Sequence, residues 1–374
     1  MRVLHLLSCR GWSSDAYWAA RIAREFARRG HEVTLGCRDG TEERVIARAR
    51  AEGVDRITTF AFAGGLRPDA DFIDVRRLRA AVAEADVIHV HRGKEHWLAA
   101  VANRLCRTPR PIIRTRHIVQ AVRPHAGNRW LYQRATALVV TVTNAIREQY
   151  LASGLLPASR VVALPGGADL EACHARPGTP DARRRLGGAP DNPLLGMVSG
   201  LRVMKGHGVV IEAAARLAAE GLRPRFAFVG RGSQETAIRN AIDRAGLGDQ
   251  IMIAGFAENL PAALAALDVA LYVPVESEGM SRVVFEYMAA ARPLIASRVG
   301  VVPEILNDGE HAVLVPGGDP DALAAAIARL LGNAPLRARL GESARRLLAD
   351  RFSGARVAEA LESHYDRLLS FASP

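Results

Sequence analysis

The stretch Leu194–Ala219, LLGMVSGLRVMKGHGVVIEAAARLAA, decides the fold. Its opening residues, Leu194–Ser199, are an apolar run of the kind that forms a strand buried on both faces. A short turn carrying Arg202, Lys205 and Gly206 follows, and apolar residues then recur at helical spacing through Gly206–Ala219. Strand, turn and helix in that order are the repeating unit of a parallel sheet covered on both faces.

The same unit recurs to either side. Upstream, apolar runs predict strands at Arg2–Ser8, Glu32–Gly36, Ile57–Ala61, Asp86–His91, Pro111–Thr115, Ala137–Val142 and Arg160–Leu164, most of them separated by amphipathic helical stretches. Downstream, strands are expected at Phe226–Gly230, Gln250–Gly255, Val269–Val273, Pro293–Ser297 and Ala312–Val315, with helices at Gln234–Ala245, Ser281–Ala291 and Ala322–Leu331. Turn formers from Pro165 to Gly188 interrupt the alternation. The expected organisation is a Rossmann-like domain over 1–175, a linker over 176–189, and a second Rossmann-like domain over 190–352. A C-terminal helix over 353–374 would pack back on the first domain. The class is α/β, two doubly wound domains facing a central cleft, and such sheets bind ligands at the carboxyl ends of their strands.

Length agrees, since 374 residues exceed one ordinary core. No apolar run approaches the ~18–20 residues that span a bilayer, and Val3–Leu7 is shorter than the apolar core of a signal peptide. Cys9, Cys37, Cys106 and Cys173 lie far apart without a C-x-x-C pair, which fits a reducing cytoplasm better than a disulfide framework. Charge is uneven. Residues 1–175 hold 27 Lys and Arg against 17 Asp and Glu, whereas 176–374 are nearly neutral. A basic half attracts anionic partners, among them phosphorylated glycans and the anionic face of a membrane.

Lys205 is one of two lysines among 48 arginines. A compact ammonium at a helix start, with Arg202 nearby, suits a diphosphate. Glu278 and Glu286 form an E-x7-E pair around Gly279-Met280-Ser281, whose amides open another helix. Carboxylates accept paired hydrogen bonds from vicinal diols, so the two motifs together point to a nucleotide-sugar.

The segment Ser277–Ala296, SEGMSRVVFEYMAAARPLIA, resembles the E-x7-E signature of the retaining GT-B glycosyltransferases of the family 4 type, and Lys205-Gly206 resembles that family's phosphate-binding turn. The resemblance extends over almost the whole chain, including the glycine loop after the first strand and the Pro165–Asp169 crossover. It implies a catalytic set of His117, Lys205 and Glu278, with Lys205 and Arg202 on the donor diphosphate. Glu286 would take the ribose and Glu278 the transferred sugar. Gly11, Gly230, Gly279, Met280 and Ser281 would approach the donor, and Phe256 would lie beside the base. Gly200 stands where the family often has arginine, Trp12 where it has a second glycine, and Gly166-Gly167 where it has Asn-Gly. No residue serves as a general base in the front-face mechanism proposed for such enzymes, and no metal or other cofactor is expected beyond a UDP- or GDP-linked donor substrate.

The acceptor is expected on the first domain, beside Trp12, Arg114, Arg116 and Arg123, which would form a cationic rim for a glycan or lipid-linked acceptor. Peripheral contact with an anionic membrane would follow from such a rim, and nucleic acid is not an expected partner. Among the histidines, His89 is expected in the core and His91 at a strand tip facing the cleft. Asp69-Ala70-Asp71 reads as a solvated helix start rather than a metal-binding D-x-D. Val229-Gly230-Arg231-Gly232 lacks the third glycine of a dinucleotide fingerprint. Two rivals stay open: a nonhydrolysing nucleotide-sugar epimerase of the same build, and a basic nonenzymatic nucleic-acid binder. With aromatic residues at 5%, the second has few stacking platforms.

Overall fold

The computed structural model describes residues 1–171, 173, 178–276 and 279–370. The chain divides into two compact units, Met1–Gly167 with Phe352–Pro374, and Ala168–Arg351. In the first, the strands are β1 (Arg2–Leu7), β2 (Glu32–Arg38), β3 (Ile57–Phe60), β4 (Val87–Val90), β5 (Ile112–Arg116), β6 (Leu138–Thr141) and β7 (Val161–Ala163). In the second they are β8 (Leu194–Val198), β9 (Arg225–Val229), β10 (Ile251–Gly255), β11 (Val269–Tyr272), β12 (Leu294–Ser297) and β13 (Val313–Val315). Every strand expected from the sequence is present, with ends that differ by one or two residues.

Among the described residues the strands form two all-parallel sheets, ordered β3-β2-β1-β4-β5-β6-β7 and β10-β9-β8-β11-β12-β13. Each is doubly wound and Rossmann-like, and each reverses direction once: between β1 and β4, and between β8 and β11. Loops leaving the two strands at such a switch point diverge and open a crevice at their carboxyl ends. The second unit packs its apolar face around Leu195, Met197, Phe226, Phe228, Leu271 and Ile327.

The boundary between units falls earlier than residue 175. A Cβ on Gly166 would lie 2.4 Å from the Phe352 carbonyl oxygen, and Gly167 N donates to that oxygen at 2.9 Å. The crossover is therefore pinned to the start of the C-terminal segment. The expected linker is also partly helical. Thr179 caps the helix Pro180–Arg185, and Arg183 reaches the Ala266 carbonyl at 3.0 Å and Asp268 at 2.8 Å, which fastens this stretch to the second unit.

The helix Gly354–Ser370 returns to the first unit. Tyr365 stacks on Phe26 at 5.2 Å, and Glu362 accepts from His31 Nε2 at 2.7 Å and from Arg29 Nε at 2.6 Å. No helix among the described residues is long and apolar enough to cross a membrane.

Candidate functional site

In the second unit, β8 runs into a 3-10 turn, Val203–Lys205, and then into the helix His207–Ala219. Gly206 links the two at φ 84°, and a Cβ there would lie 2.0 Å from the Val273 carbonyl oxygen. Only glycine both adopts that left-handed conformation without strain and lets the chain pass so close to the end of β11. Val275 N donates to the Met204 carbonyl at 2.9 Å, so the loops after β8 and β11 are tied together at the switch point. Lys205 is 7% exposed and Arg202 is exposed. The lysine stem is thus packed into the turn, not held out in solvent as a lone surface cation would be.

The helix Arg282–Ala289 leaves the loop after β11, preceded by Gly279, Met280 and Ser281. Gly279 sits at φ 91°. Tyr287 anchors this helix: its hydroxyl accepts from Val198 N at 2.7 Å and contacts the Leu271 carbonyl at 3.4 Å, bridging β8 and β11. Glu286, one residue earlier, is 5% exposed and paired to Arg282 Nε at 2.9 Å. Two helix N-termini therefore open at one switch point, each a place where amide dipoles favour an anion. Glu278 lies outside the described residues.

Gly230 and Gly232 serve close packing. A Cβ on Gly230 would lie 1.9 Å from the Ser199 carbonyl oxygen, and one on Gly232 would lie 2.3 Å from that of Leu201. The loop after β9 is thereby pressed against the loop after β8. Phe256, just beyond β10, is 59% exposed, a large aromatic left in water at a strand end.

In the first unit, the glycine loop after β1 lies beside His91-Arg92 after β4 and His117 after β5. Open space adjoins Gly11, and Trp12 packs edge-on against Tyr17 at 6.4 Å. Asp15, buried in the first turn of the helix Ser14–Arg28, accepts from Ser13 and from Arg92 Nη2 at 3.1 Å. Burial opposes its charge, but Arg92, His117 and Ser13 hold the Asp15 carboxyl down at about 2. Neither Asp15 nor Arg92 is legible as a pair from a sequence that separates them by 77 residues.

Four imidazoles line this face of the sheet. His5 and His89 are in register on β1 and β4 and stack at 4.7 Å, His89 stacks on His91 at 4.7 Å, and His91 stacks on His117 at 5.6 Å. Hydrogen bonds run from His5 Nδ1 to His91 Nε2 at 3.2 Å and from His91 Nδ1 to His117 Nε2 at 3.3 Å. A neutral imidazole donates at one nitrogen and accepts at the other, so the tautomer of His117 is coupled to those of His91 and His5. Burial, with the charges of Arg114, Arg92 and Arg116 and against that of Asp15, pushes His117 down to about 4. It is neutral at pH 7. Trp18 packs edge-on against His89, His91 and His117.

Two expectations change. His91 directly follows β4, as expected of a strand tip, but it is 2% exposed and closed into the stack. Arg114 is 3% exposed, mid-strand and near the buried Glu95, so it is not on any rim. Strand alternation puts Arg114 on the same face as Arg116 but two residues deeper, under the covering helices. Arg116 itself donates to the Gln120 carbonyl at 2.9 Å, and Arg123 is exposed. Among the described residues no group of three or more His, Cys, Asp or Glu is placed to hold a metal ion. Asp69 and Asp71 fall in the first turn of the helix Pro68–Glu84, and Asp71 pairs with Lys94 at 2.5 Å.

Comparison with known proteins adds to this geometry. Residues 16–172 match the family described as Glycosyltransferase Family 4, and residues 179–347 match Glycosyl transferases group 1. A 2-deoxystreptamine glucosyltransferase of Streptomyces kanamyceticus is 29% identical over 306 residues, covering 76% of this chain and 78% of that protein. A D-inositol 3-phosphate glycosyltransferase of Acidothermus cellulolyticus is 29% identical over an alignment 389 positions long, covering 93% of this chain and 82% of that protein. Among solved structures, Anabaena HepE in complex with UDP superposes with a TM-score of 0.82 at 19% identity, over 98% of this chain and all of that one.

Proposed function

This chain belongs to the family 4 type of glycosyltransferases with the GT-B fold, and we infer that it moves a sugar, with retention of anomeric configuration, from a nucleotide-sugar to a glycan or lipid-linked acceptor. The observation that carries the reading is the β8–β11 switch point, where the turn bearing Lys205 and the helix bearing Glu286 start side by side. In this reading Lys205, Arg202 and the amides of Met280 and Ser281 neutralise the diphosphate as charge builds on it. Glu286 holds the ribose, Glu278 the transferred sugar, and exposed Phe256 flanks the base. Neutral His117 supplies a hydrogen bond to the sugar. The leaving phosphate oxygen takes the acceptor proton, so no side chain needs to act as base, and no metal is required.

Support for UDP comes from the fold-level neighbour solved with UDP and with UDP-glucose. A transferase assignment leaves neither rival, epimerase or nucleic-acid binder, a role. We place the reaction in the cytoplasm, in cell-envelope polysaccharide or glycolipid synthesis, at or near the inner membrane surface.

A thermal-shift panel of UDP-, GDP- and ADP-sugars, followed by donor hydrolysis on the hits, tests the reading directly. At least one donor is expected to raise Tm, and no shift with any of them would remove it. Glu286→Ala is expected to cost at least about tenfold in kcat/KM, the scale of a lost charged hydrogen bond of ~1.5–3 kcal/mol. EDTA should leave the rate unchanged. Strict dependence on Mg²⁺ or Mn²⁺ would contradict the metal-free mechanism.

A further inference from the structure

The first unit also holds a charged cavity on the outer side of the loop after β1, sharing Gly11, Trp12 and Arg92 with the site described above. A cavity of ≈510 Å³ opens at the ends of β1–β4, lined by Arg10, Arg38, Arg92 and Lys94 together with Trp12 and Phe62. No carboxylate lines it. Two of the four cations are neutralised from behind, Arg92 by Asp15 and Lys94 by Asp71. Arg10 and Arg38 make no ion pair among the described residues. The cavity therefore carries about two uncompensated positive charges.

Its outer wall is built, not incidental. Phe62 is 1% exposed and held at φ 38°, a left-handed conformation that strains a residue with a side chain. The wholly buried Asp74 imposes it, accepting from Ala61 N at 2.9 Å and Phe62 N at 2.8 Å. Lys94 donates to the Gly65 carbonyl at 2.7 Å and fastens the far end of the same loop. A Cβ on Gly64 would lie 2.7 Å from Arg10 Nη2, so that glycine leaves room for the guanidinium to lie across the wall. A strained loop clamped at both ends, facing two unpaired guanidinium forks, is a preorganised oxyanion site.

We propose that this cavity binds a phosphomonoester carried by the acceptor. The inference rests on the glycosyltransferase reading above and specifies its acceptor. With the donor diphosphate assigned to Lys205 and Arg202, charge narrows the class: a phosphomonoester carries about −1.5 to −2 at pH 7, matching the two free cations, whereas a phosphodiester or carboxylate carries one negative charge. The phosphate has two possible sources, a soluble phosphorylated sugar or a lipid. Leu66, Phe72 and Ile73 stand 86%, 64% and 55% exposed just beyond the wall, so apolar surface suited to a lipid adjoins the site.

The test uses the full chain with UDP present at saturation, after UDP binding has been measured by itself. Glucose 6-phosphate is titrated against glucose, and vesicles containing phosphatidic acid against phosphatidylcholine alone. Wild type is expected to bind one phosphate probe and neither control. Arg10→Gln with Arg38→Gln should weaken that binding at least tenfold while leaving UDP affinity within twofold, and the double lysine variant should restore most of it. Binding confined to the vesicles assigns a lipid phosphate, and binding confined to glucose 6-phosphate assigns a soluble one. Equal binding by wild type and the glutamine variant, or no phosphate-dependent binding at all, overturns the proposal and leaves the donor site intact. Failure to bind UDP would instead remove the donor reading, and the phosphate titration then proceeds without it.

Discussion

Lys205→Met is expected to lower kcat/KM for sugar transfer at least about a hundredfold in a chain that still folds. Methionine is the informative substitution because Lys205 is only 7% exposed, so its stem packs within the turn and alanine would remove packing as well as charge. The ammonium sits one residue before Gly206, where the chain passes against the end of β11 and the helix His207–Ala219 begins. In the proposed mechanism it meets charge that builds on the leaving diphosphate. A preorganised donor at such a point is worth about 3–4 kcal/mol, or two to three powers of ten in rate. Lys205→Arg should not rescue fully, since a planar fork needs room that this turn lacks. Single-turnover kinetics with the best donor from the panel decides the matter. A rate for Lys205→Met within threefold of wild type, with Tm unchanged, would sink the assignment.

The sequence showed strands and faces more clearly than depth. Apolar runs located all thirteen strands of the described residues, because strands buried on both faces need little else to declare themselves. Lys205 and Glu286 were visible because each follows such a run at the start of a helix. His91 and Arg114 were misjudged for the converse reason. Alternation told which side chains share a face, but not that Trp18 closes over the face of His91, nor that Arg114, on the opposite face in register with Val90, lies near the buried Glu95. Pairings across the chain left no local trace: Asp15 with Arg92, and Asp74 with the amides of Ala61 and Phe62. A lone aspartate in a helical stretch looks the same whether it faces water or clamps a strained loop.

The imidazole stack gives the largest expected response to pH. Burial lowers His5 to about 3 and His117 to about 4, and lowers His89, His91 and His96 well below their ordinary 6.5. Below pH 6.5 the unfolded chain binds protons that the folded chain refuses, so stability falls as pH falls toward the folded values. At pH 5 His5 and His117 each cost about 2 kcal/mol, a sizeable part of the ~5–15 kcal/mol stability of a whole domain, and the other three rings act in the same direction. Glu95 works the other way, since burial raises its carboxyl, but it is one group against five. All five rings belong to the first unit, whereas the second has His207, lowered to about 4. The unit Met1–Gly167 with its C-terminal helix should therefore unfold first on acidification. Calorimetry from pH 7.5 to 5 is expected to show its transition fall by at least about 10 °C and separate from that of Ala168–Arg351. Hydrogen exchange at pH 5.5, corrected for the intrinsic rate, should place the lost protection in β1, β4 and β5. Equal loss of protection in β8 and β11, or a Tm that stays flat across the range, would show that the stack is not held neutral by the fold.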